Sequence, residues 1–376
     1  MLIQQKQLKN LKKLLSPNKV IVIYGPRRVG KTTLLNAFLQ GNREPYWFFN
    51  GEDFETREKI NIQSIGKLKN LVGKRKLVII DEAQKIGNIG LNLKLMVDHI
   101  KGVKIIATGS SSFDLANQIG EPLVGRKFTL LMFPLAQLEI SQTEDPIKTK
   151  SNLESRLIYG SYPEIIVAKD NFFKEEKLKE IINSYLYKDI LELEGIKRSD
   201  KIYRLLQLLA FQIGKEVSHA ELGRQLEMNR GTVEKYLDLL EKSFVLKKFI
   251  GFSRNLRKEI SKNNRYYFLD NGIRNTLVRN FNRLDSRDDI GMIWENYVIM
   301  ERMKKQEYLR ISANNFFWRT YDKREIDLIE EREGKLFGYE IKWKKNRQRP
   351  PKDWLRTYKN ASYEVINRDN YLDFIT

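Results

Sequence analysis

The chain has 376 residues, too many for one ordinary domain and enough for two or three, each with its own core. It carries 68 Lys and Arg against 48 Asp and Glu, and this formal net charge of +20 favours a polyanionic partner, nucleic acid before membrane. There is no cysteine, which excludes disulfides, thiolate metal sites and a cysteine nucleophile, and His99 and His219 are too few for a histidine-rich metal site.

The N-terminal residues do not resemble a secretory signal, because Lys and Gln interrupt every apolar stretch in residues 1–20. No run approaches the length of about eighteen apolar residues that a membrane-spanning helix needs. We therefore expect a soluble, cytoplasmic protein without a membrane partner.

Residues 25–33, GPRRVGKTT, predict a phosphate-binding loop. The preceding KVIVIY is a continuous apolar, β-branched run, typical of a strand buried on both faces of a parallel sheet, and the following LLNAFL is helical in character. Glycines in the loop let successive N–H groups turn towards phosphate oxygens. The predicted ATP-binding residues are Gly25, Pro26, Arg27, Arg28, Val29, Gly30, Lys31, Thr32 and Thr33. Lys31 is expected to reach the β- and γ-phosphates, and the Thr32 hydroxyl to serve Mg²⁺.

A second strand, LVIIDEAQ at 77–84, ends in two acidic residues. This places Asp81 at the carboxyl edge of the sheet, where α/β folds bind ligands. We expect Asp81 to hold Mg²⁺ through water and Glu82 to orient and deprotonate the attacking water. The alternative is that these acids are only the polar end of a strand.

Two further residues are candidates for catalysis. Ser110 follows a third strand, VKIIATG, and is expected to contact the γ-phosphate or the attacking water, although a Gly-Ser turn that caps the next helix explains the sequence equally well. Arg126, in LVGRKF, is a candidate for stabilising transition-state charge in its own subunit or a neighbour's, and the latter would imply a homo-oligomer.

Six motifs follow one another in the chain: YGPRRVGKTT, LVIIDEAQ, IIATGSSS, LVGRKFTLLMFPLAQLE, GSYPE and YLYKDIL. Together they resemble the AAA-like P-loop ATPases of archaea and bacteria that carry a C-terminal DUF4143-type region. The resemblance implies an ATP-binding domain with a helical lid, Ser110 in a sensor role and Arg126 in a Gly-Arg motif. The chain has no Asn-Lys-x-Asp motif for guanine, which favours ATP.

Residues 201–269 have the order of a winged helix-turn-helix. Ser218 is predicted to cap one short helix, and RGTVEKYLDLLEKS is the candidate recognition helix, with Arg230, Thr232 and Lys235 on its exposed N-terminal part. Residues 253–265 fit a basic wing or a solvated hairpin. Such domains also serve as lids or protein-docking surfaces, so DNA and a protein partner both remain open.

The last third predicts a hairpin, REIDLIEE followed by KLFGYEIKW. Strand alternation places Glu340 and Lys342 on one face. If Glu333 and Gly334 form the turn, Asp327 lies directly opposite Glu340, so two carboxylates and a lysine meet. A one-residue slip would undo this, and the same charges also suit a solvated edge strand.

This pattern resembles the PD-(D/E)XK nuclease fold. The resemblance implies that Asp327 and Glu340 bind Mg²⁺, that Glu340 and Lys342 act in catalysis and that Glu295, on the preceding helix, supports them. The following segment, 342–359, is basic and interleaves Trp343, Trp354 and Tyr358, a pattern suited to contacts with a phosphate backbone and to base stacking. A nuclease fold that only grips nucleic acid is the alternative.

The sequence thus predicts an α/β protein: a P-loop NTPase parallel sheet with a helical lid, then a winged helix-turn-helix and a small α/β nuclease-like domain. The predicted bounds are 1–140 for the ATPase core, 141–198 for the lid, 199–275 for the winged helix and 285–376 for the nuclease-like domain. Two hypotheses follow. One is an Mg²⁺-dependent ATPase that engages DNA; the other is an ATP-dependent switch for a protein partner, with an inactive C-terminal domain.

Overall fold

The computed structural model describes residues 3–110, 123–184, 199–253, 264–320, 324–345 and 349–376. The YLYKDIL motif and most of the predicted wing at 253–265 lie outside these residues. The chain divides into two compact units, the first formed by residues 2–134 with 242–244, the second by 135–241 with 245–376.

The first unit is a parallel α/β layer structure. Its elements are α1 (Gln7–Leu14), β1 (Lys19–Tyr24), α2 (Lys31–Gln40), β2 (Tyr46–Asn50), α3 (Phe54–Ile60), α4 (Ile65–Val72), β3 (Leu77–Asp81), α5 (Ile89–His99), β4 (Lys104–Gly109) and β5 (Lys127–Leu131). The strands form a parallel sheet in the order β2-β3-β4-β1-β5. The side chains of Val20, Ile21, Val22 and Ile23 are fully buried, as the apolar run predicts. The predicted parallel sheet is confirmed.

The second unit begins with four helices, α6 (Gln137–Ile140), α7 (Pro146–Tyr159), α8 (Pro163–Val167) and α9 (Asn171–Ser184). The GSYPE motif forms the turn between α7 and α8. Gly160 has φ +75°, and a Cβ there would collide with the Asp270 carboxylate, which accepts the Ser161 N–H at 2.7 Å. The motif therefore fastens the four helices to the segment that follows β8 below.

A three-stranded antiparallel sheet with four helices comes next. The elements are α10 (Ser199–Phe211), β6 (Glu216–Val217), α11 (His219–Gln225), α12 (Arg230–Lys242), β7 (Leu246–Phe249), β8 (Asn264–Phe268) and α13 (Asn271–Leu277), with strand order β6-β8-β7. Ser218 caps α11 as predicted, accepting the Glu221 N–H at 3.3 Å. Val233, Leu237 and Leu240 form the buried face of α12, which also agrees with the sequence pattern.

A separate sheet completes the chain. It contains α14 (Ile290–Leu309), β9 (Asn314–Arg319), β10 (Glu325–Arg332), β11 (Lys335–Ile341), α15 (Lys352–Thr357), β12 (Ala361–Ile366) and α16 (Tyr371–Ile375), with strand order β12-β11-β10-β9. Glu333 and Gly334 form the predicted turn with φ of +51° and +73°. The register pairs Arg332 with Lys335 and Leu328 with Tyr339, as the turn requires.

The predicted base stacking by Trp354 and Tyr358, in the basic segment 342–359, is wrong. Trp354 is fully buried and Tyr358 is nearly so, because both pack with Phe252 and Trp318 in the core on one face of the sheet. Neither ring is available for stacking on a base. Trp343 keeps some solvent exposure, and the Arg368 guanidinium lies 4.5 Å from its ring centre. Within the described residues, no helix combines the length and apolar character needed to span a membrane.

Candidate functional site

The predicted phosphate loop lies between β1 and α2 at the carboxyl edge of the parallel sheet. Gly30 has φ +93°, a conformation that favours glycine, and a Cβ on Gly25 would collide with the Met132 carbonyl oxygen. The buried Lys31 Nζ donates to the carbonyl oxygens of Gly25 at 3.0 Å and Pro26 at 2.9 Å. The loop therefore folds around its own lysine, which is held at the start of α2.

A residue that the sequence interpretation did not include supports the same loop. Gln5 Nε2 donates to the carbonyl oxygens of Val29 at 3.1 Å and Gly30 at 3.2 Å. These contacts hold the two carbonyl groups in place, which orients the neighbouring peptide units of the loop. No local signal could have revealed the contact, since 24 residues separate Gln5 from Val29.

Asp81 ends β3 next to the start of α2. Its Oδ2 accepts the Thr32 hydroxyl at 2.7 Å, and its Oδ1 accepts the Thr108 hydroxyl from β4. The Thr108 oxygen in turn accepts the Glu82 N–H at 3.0 Å. A hydroxyl and a carboxylate in contact are the oxygen ligands that Mg²⁺ uses beside a nucleotide, so the residues present fit this ion.

Glu82 and Ser110, from different strand ends, are joined by a side chain that had no predicted role. Gln84 Nε2 donates to Glu82 Oε2 at 2.6 Å and to Ser110 Oγ at 3.0 Å. Glu82 has a left-handed backbone with φ +50°, and a Cβ on Gly51 would collide with its carbonyl oxygen. The buried Gln84 Oε1 has no hydrogen-bond partner among the described residues. The sequence did contain a signal for Gln84, because this residue ends the LVIIDEAQ motif.

Replacing Gln84 with methionine is expected to lower the kcat of ATP hydrolysis about ten- to a hundredfold while leaving the Kd for ATP nearly unchanged. Methionine keeps the length of the side chain and removes the amide that fixes both Glu82 and Ser110. Steady-state hydrolysis and equilibrium nucleotide binding separate the two quantities. Lys85→Met, at the exposed neighbouring position, is the control, and an unchanged kcat in Gln84→Met would remove Gln84 from this positioning role.

Arg126 does not lie beside the phosphate loop in its own chain, contrary to that part of the prediction. It precedes β5, and its carbonyl oxygen accepts the Val20 N–H at the start of β1, a full strand length from the loop that follows Tyr24. Its guanidinium binds Asp98 Oδ1 at 2.6 Å. Parallel pairing explains the placement, because residues before a strand gather at the amino edge. A role in a neighbouring subunit remains a prediction.

The second unit brings the other predicted residues together on its C-terminal sheet. Lys342 Nζ lies 2.6 Å from Glu340 Oε1 and 3.8 Å from Asp327 Oδ2. Asp327 Oδ2 also accepts the Ile341 N–H at 2.8 Å. Both carboxylates are buried, and β11 is an interior strand, so the alternative of a solvated edge strand is wrong.

Burial perturbs the acids of this cluster. Desolvation and the neighbouring Asp327 carboxylate raise the pKa of Glu340 to about 7. The same two causes raise the pKa of Glu295 to about 8, although its side chain keeps some solvent contact. Desolvation also raises the pKa of Asp327, against the pull of Lys342. Three neighbouring acids that repel one another in a largely buried site favour a bound cation or proton.

Further contacts involve Glu295 and a second cationic side chain, Arg265, which lies near Asp327. The Tyr267 hydroxyl donates to Glu295 Oε1 at 2.7 Å, and Arg265 lies 3.8 Å from Asp327 Oδ1. Sequence patterns missed Arg265 because it comes from β8, some sixty residues before Asp327. Glu340 Oε2 is buried and has no hydrogen-bond partner in the described part of the chain. Within the described residues, no group of three or more His, Cys, Asp or Glu side chains is arranged to hold a metal ion.

The chain resembles several proteins along most of its length. An uncharacterized protein of Mycobacterium bovis is 27% identical over 338 residues, covering 88% of this chain and 72% of the relative. One of Methanocaldococcus jannaschii is 25% identical over 376 residues, covering 94% and 82%. One of Haemophilus influenzae is 25% identical over 372 residues, covering 91% and 86%.

Two solved structures are similar at low identity. A signal transduction ATPase with numerous domains (STAND) and a tetratricopeptide repeat sensor, from Pyrococcus horikoshii, aligns with 81% of this chain and 46% of its own, at 15% identity and a TM-score of 0.33. The RuvB Holliday junction branch migration motor of Thermotoga maritima aligns with 65% and 89%, at 16% identity and a TM-score of 0.31. Such values carry no functional argument.

Family profiles match three consecutive segments. Residues 150–284 match DUF8612, a domain of unknown function. Residues 17–141, which contain the phosphate loop and the Asp81 cluster, match the AAA domain, and residues 290–370, which contain Asp327, Glu340 and Lys342, match DUF4143, another domain of unknown function. The chain therefore combines an AAA domain of the P-loop ATPase type in its first part with a DUF4143 domain in its last part.

Proposed function

We propose that this protein hydrolyses ATP in a Mg²⁺-dependent reaction and uses its second unit to engage DNA. The observation that carries the ATPase proposal is the meeting of Thr32, Asp81 and Thr108 through one carboxylate, beside a loop closed around Lys31. The phosphate loop, the oxygen atoms suited to Mg²⁺ and the acid Glu82 thus come from neighbouring strand ends and the start of α2.

Each side chain has a defined task. Loop N–H groups and Lys31 bind the phosphate oxygens, and Lys31 exchanges its loop carbonyl partners for them. Thr32 and Asp81 would hold Mg²⁺, which neutralises phosphate charge when bound. Glu82 accepts a proton from the attacking water, and Ser110 orients that water or the terminal phosphate, both held by Gln84.

Lys31→Ala is expected to weaken ATP binding at least about tenfold, because a charge-assisted contact to phosphate contributes about 1.5–3 kcal/mol. Thermal unfolding tests this. A ligand at a hundred times its Kd stabilises the wild type by about 2.7 kcal/mol, and that shift should disappear in the variant. GTP should stabilise the wild type less than ATP. Equal ATP-induced shifts in wild type and variant would contradict the assignment of the loop.

The proposed DNA contact rests first on the C-terminal cluster. Asp327 and Glu340 bring two carboxylates within reach of Lys342 on a buried strand face, an arrangement that suits a PD-(D/E)XK-type nuclease. The carboxylates would hold Mg²⁺ against a phosphate, and the ammonium group would orient water or offset developing charge. The buried, unpartnered Glu340 Oε2 is the atom with the capacity for a further ligand.

The second support for DNA binding is the proposed winged helix-turn-helix. A helix, a short strand, two helices and a hairpin follow one another from α10 to β8, and α12 carries exposed Arg230 and Lys235. Arg230 binds Glu234 at 2.7 Å, and the Thr232 hydroxyl donates to Asn229 at 3.0 Å. A DNA phosphate would therefore have to compete with Glu234 for Arg230.

One observation favours the alternative of an ATP-dependent switch for a protein partner. Lys342 is in direct contact with Glu340, and an ion pair of this kind holds the carboxylate without any metal. In that case the C-terminal domain is inactive and the nucleotide state rearranges the second unit. Cleavage and binding assays on the C-terminal acids, described in the Discussion, separate the two functions.

A further inference from the structure

Positive charge is concentrated at the amino edge of the parallel sheet, the side away from the phosphate loop. Lys19, Lys104 and Lys127 begin β1, β4 and β5, and Lys76 immediately precedes β3. The register places Lys19 opposite Lys104, and the Lys104 N–H donates to the Lys76 carbonyl oxygen at 2.8 Å. Since neighbouring strands lie about 4.8 Å apart, these four lysines form a row roughly 14 Å wide.

The connections that return to this edge are basic as well. Eleven Lys or Arg and two acidic residues occur in the segments 12–19, 40–45, 73–76, 98–104 and 123–127. The described connections at the carboxyl edge, 25–31, 50–54 and 81–88, contain four basic and four acidic residues. Among these described connections, the excess positive charge therefore lies at the amino edge.

Ordinary structural roles account for only part of this charge. Cations near the carboxyl ends of helices complement the helix dipole, which explains Lys12 and Lys13 in the last turn of α1. The two acids neutralise two partners, through Glu44 with Lys104 at 2.7 Å and Asp98 with Arg126 at 2.6 Å. Lys19 Nζ and Lys76 Nζ also donate to carbonyl oxygens, at 2.7 Å and 3.0 Å, but these contacts do not neutralise their charge. None of these roles explains the exposed Lys74 and Lys101.

We propose that the amino edge of the AAA domain binds the phosphate backbone of a nucleic acid. Closely spaced ammonium groups on a rigid sheet edge neutralise neighbouring phosphates without reading bases. An anionic membrane is the less favoured partner, because most of these cations come from strand starts and tight turns and not from an amphipathic helix that buries an apolar face in lipid. This contact adds to the DNA-binding surfaces proposed for the second unit.

The test compares two triple variants of the full chain. The edge variant carries Lys13→Gln, Lys74→Gln and Lys101→Gln, all at exposed positions of the amino edge. The control variant carries Lys9→Gln, Lys67→Gln and Lys85→Gln, which are equally exposed on the same unit and lie towards the carboxyl edge. Both lose the same charge, so only its position differs.

Binding of a fluorescent DNA duplex is measured by anisotropy over a series of KCl concentrations. Each lost phosphate contact lowers the slope of log K against log[salt] by about 0.9, so the edge variant should lose about two to three units of slope and the control none. Equal slopes in wild type and edge variant would overturn the proposal. So would an unchanged DNA slope with lost binding to phosphatidylserine vesicles. ATP affinity, measured on the same samples, should be equal in all three proteins, which keeps this test separate from that of the ATP site.

Discussion

Glu82→Gln is expected to bind ATP with nearly wild-type affinity and to hydrolyse it at least about a hundredfold more slowly. Glutamine keeps the size of the side chain and its contact with Gln84, and it removes only the ability to take a proton from water. The hydrogen bonds of Lys31 to Gly25 and Pro26 do not involve the Glu82 carboxylate, so the phosphate cradle should persist. Phosphate release and equilibrium nucleotide binding, measured on the same preparation, separate turnover from affinity.

The matched control is Glu52→Gln, an exposed acid beyond the end of the neighbouring strand β2. It should hydrolyse ATP at the wild-type rate. If Glu82→Gln also turns over normally, Glu82 is not the general base, and another group activates the water. If instead ATP binding collapses, the residue supports the loop and not the chemical step.

Local sequence signals predicted the parts of both sites that depend on short-range geometry. The phosphate loop could be predicted because its glycines, lysine and flanking strand and helix are contiguous. The pair of Asp327 and Glu340 could be predicted because strand side chains alternate and because one two-residue turn at Glu333 fixes the register. Both inferences use only short distances along the chain.

Contacts over longer distances were beyond such reasoning. Gln5 on the phosphate loop and Arg265 near Asp327 come from segments with no pattern that links them to their partners. The alternative that placed Arg126 at the phosphate loop of its own chain was wrong for a different reason, while a role in a neighbouring subunit stays a prediction. The strand after it was not recognised as a parallel neighbour of β1, and that recognition alone would have placed Arg126 at the amino edge.

The position of Gln84 has a mechanistic consequence. Its one amide joins the residue proposed to activate water to the residue proposed to sense the terminal phosphate. A change in the contacts of Ser110 on nucleotide binding would therefore move the hydrogen bond that holds Glu82. With these proposed roles, phosphate sensing and water activation would be coupled, so loss of the amide should lower kcat and spare affinity.

Asp327→Asn and Glu340→Gln are each expected to abolish metal-dependent cleavage of nucleic acid, lowering it at least about a hundredfold. Both replacements keep the shape of the side chain, and asparagine retains an acceptor for the Ile341 N–H that Asp327 binds at 2.8 Å. The matched control is Glu364→Gln, an exposed acid on β12 of the same sheet, which should cut normally. The assays use single- and double-stranded DNA and RNA with Mg²⁺ or Mn²⁺.

The raised pKa values add a second, independent measurement. Glu340, with a pKa of about 7, and Glu295, with one of about 8, are mostly protonated in the folded protein at pH 6 and mostly ionised at pH 8.5. A metal ion that binds to the C-terminal acids must displace those protons. The affinity of this C-terminal site for the metal should therefore rise with pH across this range, by up to about tenfold per pH unit for each proton displaced. Asp327→Asn should flatten the profile, because it removes a ligand and the charge that, after desolvation, contributes most to raising both pKa values. If the wild type neither cuts nor binds DNA in a salt-dependent way, and metal affinity is absent at every pH, the Lys342 ion pair is a structural contact and the protein is the ATP-dependent switch.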